Sequence, residues 1–174
     1  MRNWGKRRAA YATLLIVGEG ESEVAFLQHI KALCVSRGAG LKVTVTCVFG
    51  KGAAHVVDVA IRKSADRAYD NVAMLLDTDT GWTPQIEKLA QKNGIHVLTS
   101  VPMFEAMMLR IHGQYAEGAS GELKRRFQDL IQASGLERAH YAGRFGDAVL
   151  QRARATESTI DRLLRLLHTE PLQE

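Results

Sequence analysis

Two apolar runs, Ala12 to Val17 and Val72 to Leu76, each end abruptly in carboxylates. The first opens into Gly18-Glu19-Gly20-Glu21-Ser22-Glu23, the second into Asp77-Thr78-Asp79. Runs rich in Val, Ile and Leu without polar alternation read as strands buried on both faces of a parallel sheet. In such sheets ligands bind at the carboxyl ends of the strands. Several carboxylates on one rim repel each other unless a cation neutralises them. Oxygen-only ligands favour Mg²⁺ or Mn²⁺ over zinc. If Glu19, Asp77 and Asp79 form one site, the first strand must neighbour the third.

The rest of the chain fits that frame. A helix is expected from about Glu21 to Arg37, with Phe26, Leu27, Ile30, Leu33 and Cys34 on one face and Gly38 to Gly40 as its stop. A strand follows over Leu41 to Phe49, a helix over Ala54 to Arg67, and a strand over Asn71 to Leu76. The next helix starts beside Pro84 and ends near Gly94. Ile95 to Ser100 reads as a fourth strand and Met103 to Ile111 as a fourth helix. Strand–helix alternation with short turns implies right-handed βαβ units. After His112 the strand signals stop. Glu122 to Ala133 and Gly146 to Ala155 read as helices, and Ser158 is the expected N-cap of a last helix over Thr159 to His168. The expected organisation is a basic arm over 1–10 (Arg2, Lys6, Arg7, Arg8), an α/β core over 11–112 and a helical extension over 113–174 packed on it. The Gly113 to Gly121 linker marks the join.

Composition narrows the function classes. The 174 residues suit one domain with a proper core. A net charge of +4 suits a nucleic-acid partner without requiring one. The two cysteines, Cys34 and Cys47, form no Cys-x-x-Cys pair and are expected as buried apolar fillers in a reducing compartment. No run reaches transmembrane length, so a cytoplasmic protein without membrane contact is expected. Gly18-x-Gly20 lacks the third glycine of a dinucleotide fingerprint, and its carboxylates would repel a pyrophosphate. Gly50-Lys51-Gly52 lacks P-loop spacing and reads as a tight turn, with Lys51 as a candidate phosphate contact. The six histidines show no ligand spacing, and Ser22 lacks a nucleophile-elbow context.

Glu21 and Glu23 read either as first-turn acids that complement a helix N-terminus or as part of the acidic rim, whereas Glu19 precedes the helix and belongs to the rim. Glu105 reads either as another first-turn glutamate or as a fourth metal ligand. Lys124, Arg125, Arg126, Arg152 and Arg154 load the second half with positive charge, as a solvated face or as phosphate contacts.

Glu-Gly-x-x-acid after a first strand, followed later by Asp-x-Asp after another, resembles the Toprim domain of topoisomerases, bacterial primases, recombination proteins and the overcoming-lysogenization-defect nucleases. Glu19, Gly20 and Glu23 match the first motif, and Asp77 and Asp79 the second. The segments "LLIVGEGESEVAFLQHI" and "AMLLDTD", the Pro102-x-Phe104-Glu105 junction and "STIDRLLRLL" are similar to the RloB-like family of Toprim proteins, often encoded beside restriction and other defence genes. Met107 stands where that family usually has an aromatic, and His112 is displaced by one position. The resemblance implies a three-layer α/β sandwich with a mainly parallel sheet of about four strands. It also implies an Mg²⁺- or Mn²⁺-dependent nuclease acting on DNA or RNA. Asp77 and Asp79 would hold metal, and Glu19 would ligate it or take a proton from water. Tyr11, Tyr69, Tyr115 and Tyr141 come with no separate strand-passage domain, and template-binding modules of a primase are absent. The alternative is a non-catalytic module that binds metal or nucleic acid and recruits an ATPase or another defence protein.

Overall fold

A computed structural model describes residues 12–36, 38, 40–49, 52–66, 69–79 and 81–170. The basic arm, Lys51 and the expected helix ends at Arg37 and Arg67 lie outside the described residues. The elements run β1 (Ala12–Gly18), α1 (Glu21–Cys34), β2 (Leu41–Cys47), α2 (Ala53–Ala65), β3 (Asn71–Asp77), α3 (Pro84–Lys92), β4 (Ile95–Ser100), α4 (Phe104–Ile111), α5 (Ser120–Ile131), α6 (Asp147–Ala153) and α7 (Ser158–His168). A 3₁₀ turn, Arg138–Tyr141, had no counterpart among the expected elements.

The sheet order is β2-β1-β3-β4, and every pair is parallel. From β1 the chain steps outward to β2, then returns to the other side for β3. That reversal puts a switch point between β1 and β3, where the diverging connections leave room for a ligand. Gly18 is in register with Cys47 on one side and Leu75 on the other.

Strand side chains alternate between the two faces. Leu14, Ile16, Ala73, Leu75 and Leu98 point into a core shared with α1 and α4 to α7. Leu15, Val17, Val72, Met74, Leu76 and Val97 point into a second core under α2 and α3. Both faces are therefore covered, which is why the strand sequences lack polar alternation. In the larger core Phe26, Phe104, Phe127, Tyr141 and Phe145 meet with centroid separations of 5.5–6.2 Å.

Two details depart from expectation. Glu157, not Ser158, occupies the N-cap position of α7, and no side chain caps that helix. The Glu157 carboxylate instead accepts from Arg110 Nε and Nη2, at 2.7 and 3.0 Å. Cys34 and Cys47 are half-buried rather than core fillers. Among the described residues no helix is long and apolar enough to cross a membrane.

Candidate functional site

Glycine shapes the turn out of β1. A Cβ on Gly18 would lie 2.8 Å from Val24 Cγ2, and one on Gly20 would lie 2.7 Å from Glu23 Oε2. Both contacts are shorter than real Cβ atoms allow, so a side chain at either position would push the Val24 or Glu23 side chain aside. Glu23 is tucked beneath Gly20 and is only 7% exposed. Glu19, between the glycines, accepts from the Asp77 backbone N–H through Oε2 at 3.4 Å. Its own N–H donates to the Leu75 carbonyl at 3.2 Å. The carboxyl ends of β1 and β3 are thus bonded together on the rim.

Asp77 closes β3 opposite Ser100 of β4. The turn beyond it is fixed, because the Thr78 N–H lies 3.1 Å from the Ser100 carbonyl and 3.0 Å from that of Pro102. Glu105, in the first turn of α4, completes the wall. Glu19, Glu23, Asp77 and Glu105 line one cleft of about 270 Å³, with Lys124 and Leu136 beside them. Asp79 is exposed, and its charge acts on both Asp77 and Glu105.

Burial pushes Asp77 up to about 8, with the charges of Glu23, Glu105, Asp79 and Glu19 adding to it. Burial likewise raises Glu23 to about 7, helped by Glu105 and Glu19. Glu105 is raised by burial, an effect that Lys124 opposes. Asp77 Oδ1 is buried without a hydrogen-bond partner among the described residues. An unsatisfied buried oxygen amid like charges is unfavourable as it stands. Hard oxygen donors with an orphaned carboxylate oxygen fit a divalent cation such as Mg²⁺ or Mn²⁺ in their chemistry. Among the described residues, no three His, Cys, Asp or Glu side chains are gathered on a common point that could hold an ion.

No family model matches the chain, and no curated protein does. Among solved structures it is similar to the C-terminal region of the Burkholderia pseudomallei OLD protein. The two are 15% identical over 91% of this chain and 98% of that one, with a TM-score of 0.51. The C-terminal region of the Xanthomonas campestris pv. campestris OLD protein is 13% identical over 90% of this chain and 94% of that one, with a TM-score of 0.47. The fold is Toprim-like.

Within this Toprim-like fold the expected basic contacts scatter. Lys124 stands at the acidic cleft. Arg125 pairs with Asp129 at 3.6 Å on open surface. Arg126 folds over the Tyr115 ring, 5.8 Å from its centroid, and donates to the Tyr115 carbonyl. Arg152 is exposed on α6. Arg154 is bound by Asp161 at 2.7 Å and Glu170 at 2.8 Å.

Two residues mattered more than their sequence context suggested. Glu23 matched the first motif yet reads as an ordinary first-turn glutamate; the small Gly20 three residues earlier was the available signal. Tyr141 is fully buried, and its hydroxyl lies 2.8 Å from the Gly135 carbonyl and 3.0 Å from that of Ser22, on the helix that carries Glu23. Burial pushes its hydroxyl pKa upward, and the charges of Glu23 and Glu105 push it the same way. Of the histidines, His29 is satisfied by the Phe145 carbonyl at 2.8 Å, whereas buried His112 Nε2 has no partner among the described residues.

Proposed function

We propose that the protein is a Toprim-type nuclease that cleaves phosphodiester bonds of DNA or RNA with Mg²⁺ or Mn²⁺. One observation carries this reading: the unpartnered, buried Oδ1 of Asp77, in a cleft where burial and neighbouring acids push Asp77 and Glu23 upward. Such an arrangement costs the fold stability, and a divalent cation that keeps positions open for phosphate oxygens would relieve it. When bound, the cation supplies Lewis-acid relief of the charge that builds on the phosphate oxygens.

The chain's own residues divide the remaining work. Asp77 and Asp79 would hold the cation, with Glu105 as a further ligand. Glu19, whose Oε2 accepts from the Asp77 N–H, would ligate it as well or take a proton from water. Lys124, beside the cleft, orients the phosphate backbone. The motif resemblance to the RloB-like family supports a setting in anti-phage or restriction-associated defence, with an ATPase or another defence protein as partner.

The test is plasmid nicking in Mg²⁺ and in Mn²⁺. Asp77→Asn and Asp79→Asn should each lower the rate by about 10²-fold or more while the fold survives. Wild-type nicking by both variants would end the catalytic assignment and leave the partner-recruiting module as the better reading.

A further inference from the structure

Phe49 is 72% exposed. A lone exposed ring needs no explanation, but two other observations give this one meaning. The first is its backbone, with φ of +56°. Among the described residues, two other non-glycine residues share a positive φ, Gln132 and Thr169. Both end helices, where a left-handed residue is ordinary. Phe49 ends no helix, and for a bulky side chain that region is costly. Such strain collects at ligand sites, where the surrounding structure enforces it.

The second observation is position. The Val48 N–H donates to the Gly18 carbonyl at 3.2 Å, continuing the β1–β2 ladder past its end. The Phe49 N–H donates to Cys47 Sγ at 3.4 Å, and that sulfur lies 3.9 Å from the Glu19 carbonyl. Phe49 therefore stands on the same rim as the carboxylates. It is two residues past Cys47, the partner of Gly18, and so at most roughly 7 Å along the chain from it.

We propose that Phe49 is a stacking platform for an unpaired nucleobase next to the phosphate at the acidic cleft. The inference rests on the nuclease reading and deepens it, because it specifies single-stranded or locally opened nucleic acid as the substrate. A neutral ring offers a base its π-face without regard to sequence, whereas bases inside a duplex are already stacked. One ring is too small an apolar patch to dock a protein.

The test titrates the intact chain into a single-stranded oligonucleotide containing 2-aminopurine, with Ca²⁺ replacing Mg²⁺. Wild type should quench the fluorescence. Phe49→Ala should bind about 5- to 100-fold more weakly, and Phe49→Trp should restore binding. Phe49→Gly should lose the same affinity yet melt about 2–4 °C higher, because glycine removes the strain. Opposite signs for binding and stability are what a purely structural loop residue would not give. Unchanged affinity of Phe49→Ala, or no quenching by wild type, would overturn the proposal. Nicking by wild type without quenching sinks the stacking role alone. Quenching without any Mg²⁺-dependent cleavage sinks the nuclease reading alone.

Discussion

The acidic rim and the C-terminal ionic network use the same residue types to opposite ends. In the network Arg154 joins Asp161 and Glu170, and Arg165 reaches Asp161 at 2.7 Å. Arg165 and Arg154 hold the Asp161 carboxyl below its usual range, and Arg154 does the same to Glu170. On the rim, burial and neighbouring acids drive Asp77 and Glu23 upward instead. Carboxylates that the chain matches with its own cations stabilise the fold. Those it leaves facing one another cost it stability, a cost that the cation proposed above would relieve.

The sharpest way to break this contrast is to remove one rim acid and, from a second matched pair, the cation. Arg110→Ala strips Glu157, whose side chain is 11% exposed, of its two-pronged partner and also loses the 2.7 Å bond to the Val101 carbonyl. It should cost about 2–4 kcal/mol in chemical denaturation. Asp77→Asn should leave the metal-free protein as stable or more so, because it removes repulsion. A loss for Asp77→Asn that matched the Arg110→Ala loss would make the rim a structural element, and the contrast would be false.

A pH scan probes the same contrast more gently. Asp77 and Glu23 have raised folded pKa values, so the stability they contribute is full below their unfolded values. It is lost as pH rises through about 8 for Asp77 and about 7 for Glu23. Asp161 and Glu170 are lowered, so their contribution is present above their unfolded values and lost as pH falls through the folded ones. His96 and His112, held low chiefly by burial, add stability as pH rises and so mask the rim in wild type alone. The informative quantity is the Tm of Asp77→Asn minus that of wild type, measured without divalent cations. It should grow between pH 5 and 8 (roughly the span between the unfolded and folded values). A flat difference would remove the electrostatic account of the cleft.

The smallest expected effect concerns salt. Lys124→Ala should make the slope of log affinity against log salt shallower by about 0.9 on duplex DNA, or about 0.7 on a single strand. Arg154→Ala should leave that slope unchanged, since its guanidinium is already matched by Asp161 and Glu170. Equal slope changes for both would mean that the network opens to bind phosphate.

Much of this was legible in the residues. The runs Ala12 to Val17 and Val72 to Leu76 read as strands covered on both faces, and the carboxylates that follow them read as one rim. That β1 sits beside β3, with Glu19 bonded to the Asp77 backbone, follows from the crossover pattern rather than from any local signal. Less was legible where a residue's meaning depends on distant partners. Glu23 looks like any helix-start glutamate until Gly20 is seen above it. Arg154 looks like surface charge, because its partners lie 7 and 16 residues further along the chain. The left-handed turn at Phe49 has no sequence cue, since glycine would be the usual choice there. Ser158 looked like a cap, but a tertiary demand on Glu157 decided how α7 begins.

Tyr141 carries a practical consequence for anyone who recombines this chain. Its ring packs among aromatics from α1, α5 and the segment before α6, and its hydroxyl sits at the Ser22 carbonyl. A breakpoint after His112, the natural choice from the linker composition, would leave Phe26 and Phe104 facing solvent. It would also strip the start of α1 of its brace. The grafting unit is therefore not the strand-and-helix half alone. A chimera that borrows this rim should inherit the chain at least through Glu170, the last member of the ionic network.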